Sequence, residues 1–475
     1  MGPLLRTGDR GVPGGHRPGQ VLAAGGSDRP GLRRPQPGVR VPADRRLRRV
    51  THDAALRSVQ AVGRLPSVSA AVAYGGAEAW RGSVSVLEGI SADTSYRIGS
   101  ITKTMTAVLV LQLRDEGRLS LDDPVGRFVP EAGCGDVTLR GLLSHTAGLR
   151  SEPVGPWWER SPGVATAELL AANQHCARVA SDGAYYHYSN LGYALLGETV
   201  ARLRGRLWWD LVQERLLAPL GLTATTYDAP DDHAPGLSVD HFAHTLTSEP
   251  HADTVAMAPA GQLWSTVTDL LGWADFLAVG HRDVLRRETL AEMTRPATTA
   301  EGYGLGLRIL RGRDRTLVGH TGSMPGFQAS LFVDPTTRDA VAVLANATTG
   351  LRPELVPVEL LGDDPVEECA PWRPSVEVPR EIAPILGLWF WGNTALGFEW
   401  CGDELVVRDL RTGNVEYRFG LDEGVLVGTE GYHRGEPLEV RRKQDGSVSH
   451  LECASFVYTR VPYDPEVTIP GGHPA

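Results

Sequence analysis

The sequence predicts an α+β fold, in which an antiparallel sheet is flanked by helices and interrupted by an inserted helical subdomain, with a small all-β barrel domain after it. Strand patterns occur at both ends of residues 49–366, and helical patterns fill the stretch between them. Residues 380–475 then carry six to eight short strand patterns separated by turn residues, which is typical of a small barrel or sandwich. Residues 367–379 are predicted to link the two domains.

The composition narrows the class of protein. The chain has 475 residues, a net charge of −10 and 42% hydrophobic residues, which suits two or three domains with a large core. A basic face is not indicated, so no nucleic-acid partner is expected. The longest apolar run, AVLVLQL, is too short to cross a bilayer, so no membrane partner is expected. The five cysteines are scattered and form no C-x-x-C pair, which favours a reducing compartment over a disulfide framework or zinc ribbon.

Residues 1–48 differ in kind from the rest. They are rich in Arg, Gly and Pro and show almost no apolar periodicity, which predicts a disordered tail or sequence upstream of the true start. A basic arm that touches an acidic partner is the functional alternative. The segment has no continuous apolar region of the signal-peptide type, so a cytoplasmic location is expected.

The first domain begins with a predicted helix over THDAALRSVQAVGRL, with Thr51 as its N-cap, and two strands joined by a Gly-Gly turn. Residues 97–113 have apolar side chains at a 3.6-residue period, which predicts a helix with a wide buried face that ends at Gly117. Residues 119–257 are mostly helical in pattern, and a further helix is expected over WSTVTDLLGWADFLAVG. The remaining strands are predicted over YGLGLRIL, RTLVGHTG, FQASLFVDP and DAVAVLANA, with LRPELVPVELLG as a closing helix.

Ser100 and Lys103 lie at the start of the helix over residues 97–113, and their three-residue spacing puts them on one helical face. A serine hydroxyl becomes a strong nucleophile when a base removes its proton, and a lysine at this spacing can reach it. Ser100 also lies where backbone N–H groups are free, so its own N–H can form half of an oxyanion hole. Taken alone, S-x-x-K is also explained by a serine N-cap followed by an exposed lysine.

The stretch YYHYSNLGYALLG places Tyr188 and Asn190 just before a predicted helix. A tyrosine can relay a proton if a cation such as Lys103 lowers its pKa. The Asn190 amide can donate to a substrate carbonyl and accept from Lys103. A turn tyrosine and a helix-capping asparagine are the structural alternative.

The stretch LVGHTGSMPGFQ follows an apolar strand. His320 can carry positive charge or relay a proton, and Gly322 at a sheet edge permits close approach by a ligand. The N–H of Ser323 can complete the oxyanion hole. A structural histidine beside a glycine turn explains the same pattern when it stands alone.

The three stretches together resemble the serine β-lactamase and penicillin-binding protein superfamily, whose motifs are S-x-x-K, Y-x-N and [KH]-[TS]-G. The matching segments, in chain order, are Ser100-Ile-Thr-Lys103, Tyr188-Ser-Asn190 and His320-Thr-Gly322. The segment LRGLLSHTAGL is similar to a further family signature, in which His145 is expected to be structural. The resemblance covers residues 51–361 and is closest to class C β-lactamases, DD-carboxypeptidases and the related esterases and peptidases of the S12 type. The all-β tail resembles the lipocalin-like domain that some members append.

The resemblance implies a serine hydrolase or acyltransferase that cleaves ester, amide, peptide or β-lactam bonds through an acyl-enzyme on Ser100. Lys103 and Tyr188 would together move the serine proton to the leaving group, and Asn190 would orient the substrate. The backbone N–H groups of Ser100 and Ser323 would bind the oxyanion. No cofactor and no metal are implied, and the expected partner is a small-molecule or peptide substrate.

One position departs from the usual pattern. His320 stands where many β-lactamases carry lysine, and a histidine is mostly neutral at pH 7. Thr321 and Gly322, the implied substrate-binding residues, would therefore lie in a weaker positive field, which suits neutral substrates at least as well as β-lactams. We expect a His-linked limb in the pH profile that disappears in His320→Lys.

Three alternatives remain open from the sequence. The layout also resembles penicillin-binding-protein-type thioesterases, which cyclise or release nonribosomal peptides and would have a peptide-synthetase carrier protein as partner. A non-catalytic binding protein on the same fold is the second. A metal enzyme using His241, His244 and His251 is the third, although their spacing matches no H-E-x-x-H motif, and an active-site rim is favoured for them. No G-x-S-x-G elbow exists, which disfavours an α/β-hydrolase.

Overall fold

The computed structural model describes residues 45–175, 178–181, 183–298, 302–312, 314–362 and 369–474, with the backbone alone for 45–50. The predicted tail lies outside this part of the chain except for residues 45–48, which are helical because the first helix begins at Arg45 rather than near Thr51. The first part of the predicted linker, up to residue 368, also lies outside it.

The main sheet of the first domain is antiparallel and draws its strands from both ends of the domain, as the sequence predicts. The strands of this domain are β1 (Ser67–Tyr74), β2 (Ala77–Ser85), β3 (Tyr96–Arg97), β4 (Leu237–Val239), β5 (Leu246–Ser248), β6 (Trp264–Ser265), β7 (Arg308–Arg311), β8 (Thr316–Met324), β9 (Phe327–Val333) and β10 (Ala340–Ala345). Six of them form the sheet in the order β2-β1-β10-β9-β8-β7, while β3 pairs with β6 and β4 with β5. The predicted strand YGLGLRIL is shorter than expected, since β7 begins only at Arg308.

Helices cover both faces of the sheet and form the inserted subdomain. The helices are α1 (Arg45–Gly63), α2 (Thr102–Asp115), α3 (Leu139–Leu143), α4 (Thr166–Ala172), α5 (Asn190–Arg204), α6 (Trp208–Val212), α7 (Ala218–Leu220), α8 (Ala258–Gly261), α9 (Val267–Val279), α10 (Arg287–Met293) and α11 (Val356–Leu361). One apolar core joins α2, α5 and α9 to one sheet face, and a second core joins α1 and α11 to the other. Among the described residues, no helix is long and apolar enough to cross a membrane.

Helix α2 is the central element of the first domain. All its residues from Thr102 to Leu113 are buried, because other elements of the domain pack against every side of the helix. The indole N–H of Trp273 on α9 donates to the hydroxyl of Thr104, so even the polar residues of α2 have partners inside the core. The helix ends before Gly117, whose φ of 71° suits glycine. Burial on all sides explains why the lysine in this helix is enclosed.

The second domain is a closed barrel of eight antiparallel strands. They are β11 (Gly387–Trp391), β12 (Thr394–Cys401), β13 (Glu404–Asp409), β14 (Val415–Asp422), β15 (Val425–Gly431), β16 (Pro437–Arg442), β17 (Val448–Cys453) and β18 (Phe456–Thr459). Pairing of β11 with β18 closes the ring, which removes free sheet edges. Its interior is a separate apolar core around Trp389 and Phe398.

The barrel contacts the first domain through the loop between β4 and β5. In this contact, the backbone N–H of Trp400 donates to the carbonyl of Phe242 at 2.7 Å. Beside it, Arg64 at the end of α1 donates to buried Glu399 of the barrel at 3.0 Å. The segment HFAHTLTSEPH therefore contributes an interdomain contact through His244, which lies 3.4 Å from Glu399. For His244, this contact replaces the active-site rim that the sequence suggests.

Candidate active site

Ser100 lies in a short 3-10 turn, Gly99–Ile101, that runs directly into α2. The turn begins at Gly99 with a φ of 51°, a backbone conformation that side chains rarely adopt. The Ser100 side chain is half-buried and is held by two hydrogen bonds, to Lys103 and to Tyr188. The three groups that the sequence proposed for proton transfer are therefore in direct contact.

Lys103 is completely buried one turn further along α2. Its Nζ lies 2.9 Å from Ser100 Oγ and 2.6 Å from the carbonyl oxygen of Ala260 on α8. Burial lowers the pKa of Lys103 to about 7, although the charges of Glu159 and Glu152 partly oppose that shift. Near neutral pH a large fraction of the side chain is therefore a free amine that donates to Ala260 and can accept the Ser100 proton.

Tyr188 donates from its hydroxyl to Ser100 Oγ at 2.9 Å, and the Lys103 Nζ lies 5.0 Å from the centre of its ring. Burial raises the pKa of Tyr188 above its usual value, and the hydrogen bond that Tyr188 donates to Ser100 only partly opposes this. The expectation that Lys103 lowers this pKa is wrong, because desolvation outweighs the nearby charge. Tyr188 is thus a neutral donor in the resting site.

Asn190 is the first residue of α5, and Ser189 is the N-cap, accepting from the Gly192 N–H. The Asn190 side-chain N–H donates to Glu152 Oε1 at 2.8 Å, while Glu152 Oε2 accepts from the Trp158 indole at 2.7 Å. Its amide oxygen is buried without a hydrogen-bond partner. The expected pairing of Asn190 with Lys103 is absent, because the Ala260 carbonyl takes that position, and the free amide oxygen is an acceptor for a substrate N–H.

The backbone N–H of Ser323, which the sequence suggests as the second oxyanion donor, lies against the turn that carries Ser100. A Cβ built on Gly99 would lie 2.6 Å from the Ser323 nitrogen, and one built on Gly322 would lie 2.0 Å from the Ile98 carbonyl oxygen. Both glycines therefore let β8 approach the serine turn closely. The close contact at Gly322 is with Ile98, which gives this residue a packing role in addition to the substrate contact proposed for it. Thr321, next to it, is half-buried.

The edge of β8 at this point is open. Strand β7 pairs with β8 only from Thr316 to Gly319, so residues 320–324 have no strand partner on that side within the described chain. An extended substrate segment can hydrogen-bond to such an edge.

His320 is fully buried and neutral. Its Nδ1 lies 2.5 Å from the Thr321 carbonyl oxygen and donates to it, so Nε2 accepts from the Tyr303 hydroxyl at 2.9 Å. Burial lowers the pKa of His320 well below its ordinary value, and the charges of Arg308 and Lys103 add to this. Burial therefore argues against the expected His-linked pH limb, because it favours the uncharged imidazole.

His145 supports the tyrosine from behind. Its ring lies 4.2 Å from that of Tyr188, centre to centre, and its Nδ1 accepts from the backbone N–H of Ser189 at 3.0 Å. Burial lowers its pKa well below the ordinary value. This geometry agrees with a structural histidine that fixes the loop carrying Tyr188.

Taken together, these contacts place the Ser100 hydroxyl between a buried amine and a tyrosine hydroxyl, with the Ser323 backbone close to the serine turn. Ser100 accepts from Tyr188 and can give its proton to neutral Lys103. Lys103 and Tyr188 both contact Ser100 Oγ, so both lie next to the reacting atom. Tyr188 can then pass a proton to a leaving group. The described groups of this site include no set of metal ligands.

The fold and the site define a serine hydrolase fold of the penicillin-recognising type. The family model described as "Beta-lactamase" matches residues 52–361, and the chain belongs to that family. This confirms the resemblance drawn from the three motifs. Residues 378–460 match a second model, described as a domain of unknown function. The barrel predicted for this part of the chain is confirmed, whereas its likeness to lipocalin-like domains stays a prediction.

Similar proteins include one curated relative and two solved structures. The D-alanyl-D-alanine-carboxypeptidase/endopeptidase AmpH of Escherichia coli is 30% identical over 198 residues, which are 38% of this chain and 48% of AmpH, so the chain spans about half of its length. A D-stereospecific amidohydrolase from Streptomyces sp. is 28% identical, with a TM-score of 0.57, and the match covers 66% of this chain and 99% of that chain. SurE with D-Leu is 25% identical, with a TM-score of 0.54, and the match covers 88% and 99%.

Three partners in the site were not predicted from the sequence. Glu152 lies in an irregular loop, Ala260 contributes only its carbonyl, and Tyr303 reaches His320 from a turn before β7. None belongs to a motif. A buried lysine in a helix does require an acceptor, so the existence of a group such as the Ala260 carbonyl could have been inferred, though not its position.

Proposed function

We propose that this protein is a serine hydrolase or acyltransferase that forms an acyl-enzyme at Ser100 with peptides or amides containing a D-configured residue. The observation that carries the proposal is the placement of Ser100 Oγ, 2.9 Å from both Lys103 Nζ and the Tyr188 hydroxyl. A base whose pKa is about 7 is suited to proton transfer at neutral pH.

The proposed catalytic cycle has two halves. In acylation, Lys103 takes the Ser100 proton while Oγ attacks the carbonyl carbon, and the N–H groups of Ser100 and Ser323 bind the oxyanion. Tyr188 gives its proton to the leaving amine as the C–N bond breaks. Protonated Lys103 then gives a proton to the Tyr188 oxygen, which returns both side chains to their neutral forms. In deacylation, water or another nucleophile attacks the ester carbonyl and loses its proton to Lys103. The bond between the acyl carbon and Ser100 Oγ then breaks, and Lys103 returns a proton to Oγ.

The substrate class is supported by charge and by the relatives. Neutral His320 supplies no positive charge at the position where a cation would attract a substrate carboxylate. Neutral amides and peptides therefore suit this site at least as well as anionic β-lactams. The relatives named for D-alanyl-D-alanine carboxypeptidase and D-stereospecific amidohydrolase activity, and the structure determined with D-Leu, all involve D-configured residues.

The test is turnover and acyl-enzyme trapping with stereochemical pairs. D- and L-aminoacyl anilides, a D-Ala-D-Ala peptide and a chromogenic cephalosporin are each mixed with the protein and with Ser100→Ala, and the intact mass and product release are followed. The expected result is a Ser100-dependent acyl adduct and faster turnover of the D-isomer. Equal turnover of both isomers, or turnover that survives Ser100→Ala, contradicts the proposal.

A second candidate function is a penicillin-binding-protein-type thioesterase that cyclises or releases a nonribosomal peptide. The observation in its favour is the layout of the chain, in which a closed barrel follows the domain that carries Ser100. A linear peptidyl thioester with a D-residue at its carboxyl end distinguishes the two. A macrocyclic product points to the thioesterase, with a peptide-synthetase carrier protein as partner, and a linear acid points to the hydrolase.

A further inference from the structure

The barrel contains a buried cluster of His433, Glu436 and Cys453, far from the groups of the candidate active site in sequence and in a different domain. One ligand-type atom from each of the three side chains lies within 4.8 Å of the others. His433 Nδ1 lies 2.7 Å from Glu436 Oε2, and Cys453 Sγ lies 3.9 Å from the same oxygen. Imidazole, carboxylate and thiol are the three side-chain groups that bind zinc in proteins.

The backbone holds two of these groups rigidly. His433 and Glu436 lie in the turn between β15 and β16, where the Glu436 N–H donates to the His433 carbonyl at 3.0 Å. The same turn is bonded back onto β15 through Gly428, whose N–H donates to the Glu436 carbonyl at 2.9 Å. Cys453 ends β17 and pairs with Leu438 at the start of β16. The three side chains therefore converge because of the strand register and not because of a mobile loop.

The imidazole is also oriented from its outer side. Its Nε2 lies 2.9 Å from the Tyr458 hydroxyl, and the rings of Tyr417 and Phe456 lie 4.7 Å and 4.9 Å from it, centre to centre. Metal-bound histidines usually have such a partner on the second ring nitrogen, which fixes the ring and its tautomer. His433 and Cys453 are fully buried, whereas the Glu436 side chain is 40% exposed and leaves a path from solvent.

We propose that His433, Glu436 and Cys453 form a zinc-binding site in the barrel. In a tetrahedral site with Zn–N and Zn–O distances of about 2.0–2.2 Å and a Zn–S distance of about 2.3 Å, neighbouring ligand atoms lie roughly 3.3–3.6 Å apart. The observed distances from Glu436 Oε2 are 2.7 Å to His433 Nδ1 and 3.9 Å to Cys453 Sγ, which lie on either side of that range. Small side-chain movements would therefore bring the three atoms to zinc-ligand distances. Binding releases the Cys453 thiol proton to solvent, and the thiolate and carboxylate then neutralise the ion. This proposal differs from the expectation, stated with the family resemblance, that the chain holds no metal.

A second cluster of the same composition provides an internal contrast. His244, Glu399 and Cys401 also have their ligand atoms within 4.8 Å of one another. There, however, the Arg64 guanidinium lies 2.7 Å from His244 Nε2 and 3.0 Å from Glu399, so a cation already occupies that position. Among the described residues, no Arg or Lys makes an ion pair with Glu436. Of these two clusters, the one in the barrel is therefore the better metal site, because its carboxylate is not already paired with a guanidinium.

The experiment uses the full-length protein, stripped with a chelator and titrated with Co²⁺ and then Zn²⁺. We expect one Co²⁺ per chain, a near-ultraviolet thiolate-to-cobalt charge-transfer band, and displacement of that band by Zn²⁺. Cys453→Ser should abolish the band, and the matched variant Cys401→Ser should keep it. A wild-type protein without the band, or a band that survives Cys453→Ser, overturns the proposal.

A second variant covers the case in which Cys453→Ser does not fold. Glu436→Gln changes a partly exposed side chain and leaves the barrel core intact. Loss of an outer-shell partner already costs about 10–100-fold in metal affinity, so loss of a direct ligand should weaken Co²⁺ binding by at least about tenfold. Unchanged affinity in folded Glu436→Gln, checked by its circular dichroism spectrum, contradicts the assignment.

Discussion

Replacing Lys103 with methionine should stabilise the first domain while it removes activity. The lysine is fully buried, and burial lowers its pKa from the ordinary value to about 7. An unfolded chain holds its lysine proton up to pH 10.5. Between pH 7 and pH 10.5 the unfolded state therefore binds more protons than the folded state, and stability rises with pH across that window.

The magnitude follows from the difference between the two pKa values. At about 1.36 kcal/mol per pKa unit, the buried lysine costs about 4 kcal/mol at pH 7 and about 2 kcal/mol at pH 9. Methionine has no charge to desolvate and a similar shape, so Lys103→Met should recover most of that free energy at pH 7 and less at pH 9. For a domain of about 300 residues, the gain corresponds to a Tm increase of roughly 6 °C at pH 7 and roughly 3 °C at pH 9.

The assay is thermal unfolding of the wild-type protein and Lys103→Met at both pH values. The chain has two lysines, and the matched control is Lys443→Met, since that side chain is 51% exposed. The control should show no pH-dependent difference from the wild type. A Tm difference between Lys103→Met and the wild type that does not shrink from pH 7 to pH 9 would refute the assignment of a depressed lysine pKa.

Four further predictions concern the site. Acylation measured as kcat/KM should fall about tenfold per pH unit below the Lys103 pKa of about 7, because protonated Lys103 cannot accept the serine proton; an acid limb near pH 4 instead would point to a carboxylate base. His320→Asn should leave this limb in place, since His320 is neutral throughout, and a limb that moves in that variant would return the titration to the histidine. Tyr188→Phe should lower acylation by about 10²–10⁴-fold with little change in Tm, and retention of more than a tenth of the rate would exclude the tyrosine as proton donor. Gly322→Ala should lower both activity and Tm, because its Cβ would lie 2.0 Å from the Ile98 carbonyl oxygen; a fully active, equally stable variant would contradict the close packing of β8 on the serine turn.

Much of the fold could be predicted because its patterns are local. The helix after Ser100, the Gly-Gly hairpin between β1 and β2, and the short strands of the barrel follow from apolar period and turn residues. The strand β7 and the hairpin β4–β5 could not be predicted as well. Both are short and owe their pairing to partners distant in sequence, and a pattern of three or four residues does not encode such pairing.

The identity of the site groups could also be predicted, whereas their electrostatics could not. Motif spacing placed Ser100, Lys103 and Tyr188 together. It did not show that the lysine and tyrosine are enclosed, and enclosure decides the direction of both pKa shifts. The sequence suggests two roles for Lys103, as a base for Ser100 and as a cation that lowers the pKa of Tyr188. Burial supports the first role and opposes the second, and it favours the neutral form of His320 for the same reason.

The central claim is that Ser100 is the nucleophile. Peptide-level mass spectrometry after treatment with a fluorophosphonate tests it most directly, because the probe reacts only with an activated serine and its position can be read from the fragments. The account predicts a single adduct on Ser100, absent in Ser100→Ala and slowed in Lys103→Met. An adduct on another residue, or labelling that persists in Ser100→Ala, would contradict it.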